Sequence, residues 1–223
     1  MADFNTLVKL VHSFNPNQDQ CPIHVNIRSL AGVMDLVNNN ESIKDAWDEL
    51  FQGRDQIELT RNDVRLNANN PEQFVLSVLL WGFPTNQHGY VRYVLESWNK
   101  IVPFAISILH QPHITSETFR HQCVKIICQC NMVALAFFSK LMYFSNATID
   151  NCKCAIIDSF VYRGITCIAD NRLNRLRESV SHYRIKYESY ADYVIRLSEL
   201  NEDAQLRVEI DCLEYAFFLI GRR

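Results

Sequence analysis

The chain has 223 residues, of which 48% are hydrophobic, enough for one large domain or for two lobes that share a cleft. Its six glycines and six prolines are few for an all-β protein, which needs many tight turns. The formal net charge of −3 counts mildly against a nucleic-acid-binding protein, a class that is often basic.

The N-terminal segment carries neither the basic region nor the apolar region of a signal peptide, so we expect a cytoplasmic protein. The eight cysteines are then expected to be free thiols in a reducing compartment. The longest apolar run, Met132 to Phe144, is shorter than the ~20 residues that cross a membrane. We therefore expect a buried core helix there and no membrane partner.

Helical periodicity, caps and helix breakers predict a series of helices joined by short loops. Ser29, Ser42 and Asp158 are the expected N-caps, and Asn70-Pro71 is a strong helix start. We expect residues 54–69 to form an irregular connection. The predicted helices cover residues 2–13, 30–38, 43–52, 71–81, 88–100, 103–110, 116–129, 132–144, 159–169, 171–180, 186–200 and 203–220.

Almost no stretch alternates polar and apolar residues with a period of two, so few strands are expected. We predict an all-α fold in which two helical lobes flank a cleft. One lobe comprises about residues 1–69 with the C-terminal helices, and the other about residues 70–180, within a single domain that spans residues 1–223.

Lys140 lies in the middle of the apolar segment MVALAFFSKLMYF. Burial disfavours the ammonium form of lysine and lowers its pKa, which is the condition for a nucleophilic amine that forms a Schiff base. The alternative is a lysine at the helix edge with its stem packed and its head in water. The apolar run alone favours this alternative, because it is the commoner behaviour of lysine.

Asp158 follows three apolar residues and precedes the helical segment SFVYRGITCIA. Taken alone, it indicates an ordinary N-cap that accepts backbone N–H bonds. A carboxylate that is held ionised at a helix N-terminus beside a cleft can also stabilise a developing oxocarbenium ion on a sugar.

Considered together, the two residues and their surroundings resemble the helix-hairpin-helix superfamily of DNA glycosylases, in which an essential aspartate follows a lysine by about eighteen residues. Lys140 and Asp158 have this spacing, and the segment from Ile157 to Arg163 is similar to the stretch around the aspartate of that family. The Trp81-Gly82-Phe83 tripeptide, the run from Phe138 to Phe144 and the helix from Glu209 to Phe218 resemble small bacterial 8-oxoguanine-glycosylase-like proteins. The resemblance covers about residues 70–220, and some proteins of this kind look like defence enzymes that act on modified phage DNA.

Two features depart from that superfamily. The segment from Asn131 to Phe138 has no glycine, so it lacks the Leu-Pro-Gly-x-Gly hairpin whose amides bind a phosphate. Only Cys212 lies beyond Cys167, so we predict no iron–sulfur cluster.

Three histidines and three cysteines lie between His110 and Cys130, but their spacing matches no standard zinc site. We expect no metal and no other cofactor.

The remaining candidates concern the base and the DNA backbone. Trp81, Phe83, Gln87 and Phe144 are candidates for contacts with an extruded base, although aromatic residues in apolar helices usually pack in the core. The stretch from Ser159 to Tyr187 has six basic residues against two acidic ones. Its charge alone favours a solvated helix face, but the resemblance makes Arg163, Arg172 and Arg175 candidates for contacts with phosphates.

The resemblance implies a DNA N-glycosylase in which Lys140 attacks the anomeric carbon and Asp158 stabilises the sugar cation, with an abasic-site lyase activity as a further option. The expected partner is double-stranded DNA with a modified or damaged base, and we expect a monomer. Two alternatives remain open at this stage, a hydrolase of free modified nucleosides and a non-catalytic helical module that binds DNA or protein.

Overall fold

The computed structural model describes residues 3–15, 22–86, 89–130, 133, 135–181 and 187–222. Helices dominate this part of the chain, which confirms the predicted all-α class. The α-helices are α1 (Phe4–Ser13), α2 (Met34–Asn38), α3 (Glu41–Phe51), α4 (Arg61–Leu66), α5 (Pro71–Gly82), α6 (Tyr90–Glu96), α7 (Trp98–His110), α8 (Ser116–Thr118), α9 (Val124–Gln129), α10 (Leu135–Phe144), α11 (Ser159–Cys167), α12 (Asn174–Val180), α13 (Ser189–Asp203) and α14 (Ile210–Arg222). Further helical elements are the 3₁₀ segments Ile27–Val33, Asn67–Asn69 and Asn171–Leu173 and a π-helical turn, Phe119–Cys123.

Short strands connect some of the helices. β1 (Ile23–Asn26) pairs antiparallel with β2 (Gln56–Leu59), with Ile23 opposite Leu59. β4 (Thr148–Ile149) pairs with β3 (His113–Ile114) in parallel and with β5 (Cys152–Lys153) in antiparallel orientation. The prediction of an irregular connection over residues 54–69 is therefore wrong, because this stretch contains β2, α4 and a 3₁₀ turn.

Side-chain caps define several helix starts. The Asn70 side chain accepts hydrogen bonds from two backbone amides at the start of α5, as its position before Pro71 predicts. Ser29 and Ser42 are not the caps of their helices. Asn26 and Asn40 cap these segments instead, each lying two or three residues earlier in the chain. Asparagine and serine cap helices about equally well, so the local sequence alone does not decide between them.

Helices α11 and α14 touch backbone to backbone at two glycines. A Cβ atom on Gly164 would lie 1.9 Å from the Phe217 carbonyl oxygen, and one on Gly221 would lie 1.9 Å from the Phe160 carbonyl oxygen. Only glycine permits this approach. The contact places α14 directly beside the helix that begins after Asp158.

We predict that Gly164→Ala lowers the free energy of unfolding by about 3 kcal/mol, the upper end of the usual cost of overpacking, because the new methyl group meets a backbone atom that cannot rotate away. Urea unfolding of the variant measures this. Gly32→Ala is the matched control, because the one contact of a Cβ atom there with the described residues is the Asn86 side-chain amide at 3.8 Å. Equal stability of the two variants would show that α11 and α14 separate without cost.

Among the residues described by the structure, we find no helix with both the length and the apolar character required to span a membrane.

Candidate active site

Lys140 lies on α10, a helix in which all but one of the ten residues are buried. The side chain is 5% exposed, so the alternative of an edge lysine with its head in water is wrong. Its Nζ donates a hydrogen bond to the Ala136 carbonyl oxygen at 3.3 Å and lies 5.3 Å from the centre of the Phe83 ring. Burial lowers the pKa of the Lys140 amine, which makes the neutral, nucleophilic form more accessible.

The last residue of α5 leaves room for this lysine. A Cβ atom on Gly82 would lie 2.8 Å from Cδ and 3.0 Å from Cε of Lys140, closer than side-chain atoms approach each other. The lysine stem therefore passes directly over a glycine. This contact gives the Trp81-Gly82-Phe83 tripeptide a physical role in the site.

Asp158 is the N-cap of α11, as its sequence context predicts. One carboxylate oxygen, Oδ1, accepts hydrogen bonds from the amides of Phe160 at 2.9 Å and Val161 at 3.0 Å. The other oxygen, Oδ2, lies 3.9 Å from Nζ of Lys140. The cap thus uses one oxygen for the helix and leaves the second facing the amine, with the side chain 20% exposed.

A row of hydroxyl groups fixes the extended segment that leads to Asp158. Tyr190 donates to the carbonyl of Ala155 and Tyr193 to that of Ile156, each at 2.9 Å. Ser139 bonds the next residue, Ile157, accepting from its amide at 3.1 Å and approaching its carbonyl oxygen at 3.3 Å. Ser139 directly precedes Lys140 and Ile157 directly precedes Asp158, so this one hydroxyl links the two halves of the site.

We expect Ser139→Ala to lower the free energy of unfolding by about 1–3 kcal/mol, because the buried amide of Ile157 loses its hydrogen-bond acceptor. Chemical denaturation followed by circular dichroism measures the loss. Ser145→Ala is the control, since the hydrogen bond that the Ser145 hydroxyl makes to the described residues stays within its own helical turn, to the Met142 carbonyl oxygen at 3.0 Å. A loss for Ser139→Ala no greater than for Ser145→Ala would contradict the proposed link.

Sequence reasoning missed a second buried ionisable pair beside these residues. Glu214 on α14 is 2% exposed and Arg61 on α4 is 3% exposed, with Arg61 Nη2 3.7 Å from Glu214 Oε2. Burial raises the pKa of the Glu214 carboxyl to about 8, and the neighbouring Arg61 charge only partly opposes this rise. The sequence carries the same signal for Glu214 as for Lys140, because Glu214 is a charged residue within an apolar segment, IDCLEYAFFLIG.

The Tyr143 hydroxyl joins this pair to a second buried carboxylate. It donates to Asp211 Oδ2 at 2.7 Å and accepts from Arg61 at 2.6 Å and from Arg65 at 2.8 Å. Lys153 approaches the other oxygen of Asp211 at 2.7 Å. Hydrogen bonds and an adjacent cation thus support the charge of Asp211, and its pKa stays below the ordinary value despite burial.

The raised pKa of Glu214 predicts a defined pH dependence of stability. Between the ordinary glutamate pKa of 4.5 and the raised pKa of about 8, the folded chain holds a proton on Glu214 that the unfolded chain releases, so stability falls as pH rises through this window. We expect the unfolding free energy of the unaltered protein, relative to that of Glu214→Gln, to fall by up to about 1.4 kcal/mol per pH unit there. Urea unfolding from pH 4.5 to 9 tests this.

Glu209→Gln serves as the control for the same titration, because the Glu209 side chain is 70% exposed and lies just ahead of the same helix. Its difference from the unaltered protein is expected to stay flat. A flat difference for Glu214→Gln as well would show that Glu214 ionises like an exposed carboxyl.

The candidate base contacts occupy different environments. Trp81 and Phe83 are half-buried, whereas Phe144 is 1% exposed and meets the Trp81 ring edge-on at 5.1 Å between ring centres. Phe83 stacks on Tyr90 at 5.3 Å. Gln87 lies outside the described residues. The assignment of these four residues to base binding stays a prediction.

The three candidate arginines are exposed. The Arg163 guanidinium lies 4.7 Å from the centre of the Phe160 ring, and Phe160 is two residues beyond Asp158 in the chain. Arg172 pairs with Asp170 at 2.8 Å, and Arg175 lines a shallow depression together with Arg172 and Arg196. Their contact with a DNA backbone remains a prediction.

Within the described ranges, no group of three or more His, Cys, Asp or Glu side chains is arranged to hold a metal ion. Comparison with protein families gives a match to the family described as "Putative 8-oxoguanine DNA glycosylase OGG-like protein", over residues 35–218. No curated protein and no solved structure matches the chain.

Proposed function

Because the chain belongs to the 8-oxoguanine DNA glycosylase OGG-like family, we propose that it cleaves the N-glycosidic bond of a damaged or modified base in double-stranded DNA. The observation that carries the proposal is the 3.9 Å approach of the Lys140 amine and the Asp158 carboxylate. An amine and a carboxylate at this separation can both reach a single deoxyribose ring. The substrate base would be extruded from the duplex to reach them.

Lys140 is the proposed nucleophile. Burial lowers its pKa, which makes the neutral amine, the form that can attack the anomeric carbon of the sugar, more accessible. The C–N bond to the base breaks, and the electron pair leaves with the base. The lysine nitrogen becomes a secondary ammonium, which then loses a proton and forms an imine as the sugar ring opens. Elimination from that imine would nick the strand, which gives the lyase activity.

Asp158 is the proposed stabiliser of the sugar cation. Positive charge develops on the ring as the base departs, and a fixed carboxylate beside it lowers the energy of that state. Two backbone amides hold Oδ1, so Oδ2 keeps its position facing Lys140 without reorganising during the reaction.

Other residues would contribute binding. We assign the half-buried rings of Trp81 and Phe83 to stacking with the base, with Gln87 and Phe144 as further contacts in the cleft between two helical lobes. The exposed Arg163, Arg172 and Arg175 would contact phosphates. We propose a cytoplasmic monomer that acts in base excision, either in repair or against phage with modified DNA.

We predict that Lys140→Ala abolishes the borohydride-trapped protein–DNA adduct and that Asp158→Asn slows base excision by about 100-fold or more. The measurement uses duplexes that contain oxidised, alkylated or glucosylated bases, and mononucleosides in parallel. Lys125→Ala, which changes an exposed lysine on α9, is the control and is expected to behave like the unaltered protein.

Unchanged excision in both Lys140→Ala and Asp158→Asn would remove these roles. Activity on mononucleosides that does not require Lys140 would point to a nucleoside hydrolase. No product from any substrate, with no adduct, would indicate a non-catalytic binding module.

A further inference from the structure

Glu214 is a carboxyl buried on α14. Its Oε2 accepts no hydrogen bond from the part of the chain that the structure describes. The nearest cation, Arg61 Nη2, lies 3.7 Å away, which is beyond hydrogen-bond distance. Native proteins seldom leave a buried polar atom in this state, and a catalytic role is one of the explanations for such an atom.

The charge of Arg61 does not depend on an ionised Glu214. The guanidinium donates to the Tyr143 hydroxyl at 2.6 Å and lies between 5.3 and 5.9 Å from four aromatic ring centres. Such rings stabilise a cation through their negative faces. Glu214 can therefore remain protonated beside Arg61, and Arg61 can stabilise the carboxylate once the proton has left.

Arg61 connects Glu214 to the surroundings of Lys140, because its guanidinium is 3.7 Å from Glu214 and lies 5.5 Å from the centre of the Trp81 ring, and Gly82, the residue after Trp81, lies against the Lys140 stem. The charges of Lys140 and Asp158 both act on it, as do those of Arg61 and Asp211. The ionisable groups that face Glu214 come from five elements: Arg61 on α4, Lys140 and Tyr143 on α10, Asp158 at the start of α11, Tyr193 on α13 and Asp211 on α14.

Two carboxyls act on the Lys140 amine, and they lie in different environments. Asp158 caps a helix, and its Oδ1 accepts two amide hydrogen bonds. Glu214 is almost fully buried with an unsatisfied oxygen, which favours its protonated form and raises its pKa to about 8. When two carboxyls of one site lie in such different environments, one commonly acts as a stabilising anion and the other as a proton donor.

Resting on the proposed glycosylase function, we propose that Glu214 is the acid that protonates the departing base. As the glycosidic C–N bond breaks and its electron pair moves to the base, the Glu214 O–H proton is transferred to the base, which leaves as a neutral molecule. The resulting carboxylate is stabilised by Arg61. The secondary ammonium on Lys140 then returns a proton to Glu214, so that the acid form is restored.

This role defines a class of substrate. A neutral base is a poor leaving group unless it gains a proton as it departs, so acid catalysis accelerates its excision. A base that already carries a positive charge, such as 7-methylguanine, leaves without a proton and gains nothing from an acid. The inferred substrate is therefore a neutral modified base, and cationic alkylated purines are not the preferred class.

The test compares Glu214→Gln with the unaltered protein on two substrates. Excision of a neutral modified base is expected to slow by about 100-fold or more, because glutamine cannot donate the proton. Borohydride trapping on DNA with a preformed abasic site is expected to be unchanged, since that reaction needs Lys140 and has no departing base. Glu209→Gln is the matched control, with both reactions unaffected.

The pH profile adds a readout that a structural role would not change. Excision by the unaltered protein is expected to fall above pH about 8 as Glu214 loses its proton, while abasic-site trapping does not fall in the same range. Glu214→Gln is expected to lack this alkaline decline.

Normal excision by Glu214→Gln, or an equal loss of excision and of abasic-site trapping, would overturn the assignment of the acid. A failure of the underlying function looks different, because the unaltered protein itself would then form no adduct, or Lys140→Ala would form it as well.

Discussion

The burial of one amine governs the rest of this site. Burial on α10 disfavours the ammonium form of Lys140 and lowers the pKa of its amine, while the charge of the nearby Asp158 acts in the opposite direction. A neutral amine is also the form that can act as a nucleophile. Burial therefore has two effects: it stabilises α10, and it makes Lys140 more reactive. Gly82 provides the space that the buried lysine side chain requires.

The geometry around this amine is held by groups that do not react. The Ser139 hydroxyl bonds Ile157, so the chain segments that precede Lys140 and Asp158 are fixed to each other. The hydroxyls of Tyr190 and Tyr193 hold the two preceding residues of the same extended segment. With α11 and α14 in backbone contact at Gly164, little freedom remains in the position of the Asp158 carboxylate or of Glu214.

The interior also separates two carboxyls by their surroundings. Asp158 receives amide hydrogen bonds at a helix N-terminus, whereas Glu214 faces Arg61 at 3.7 Å without a hydrogen bond to Oε2 from the described residues. Asp158 Oδ2 lies 3.9 Å from the Lys140 amine, while burial raises the pKa of Glu214 and favours its protonated form. Asp211 shows that burial alone does not produce this result, because Tyr143 and Lys153 keep its pKa below the ordinary value.

The sequence by itself determined the helical class, the cap at Asp158 and the spacing of that residue from Lys140, because periodicity and capping are local properties of a few neighbouring residues. It did not reveal α4, the Asn26 and Asn40 caps or the depth of the Lys140 head group. Only the tertiary structure decided that Glu214 and Arg61, 153 positions apart in the chain, are buried as a pair beside the amine. Long-range packing sets solvation, and solvation sets which of these groups carries the proton.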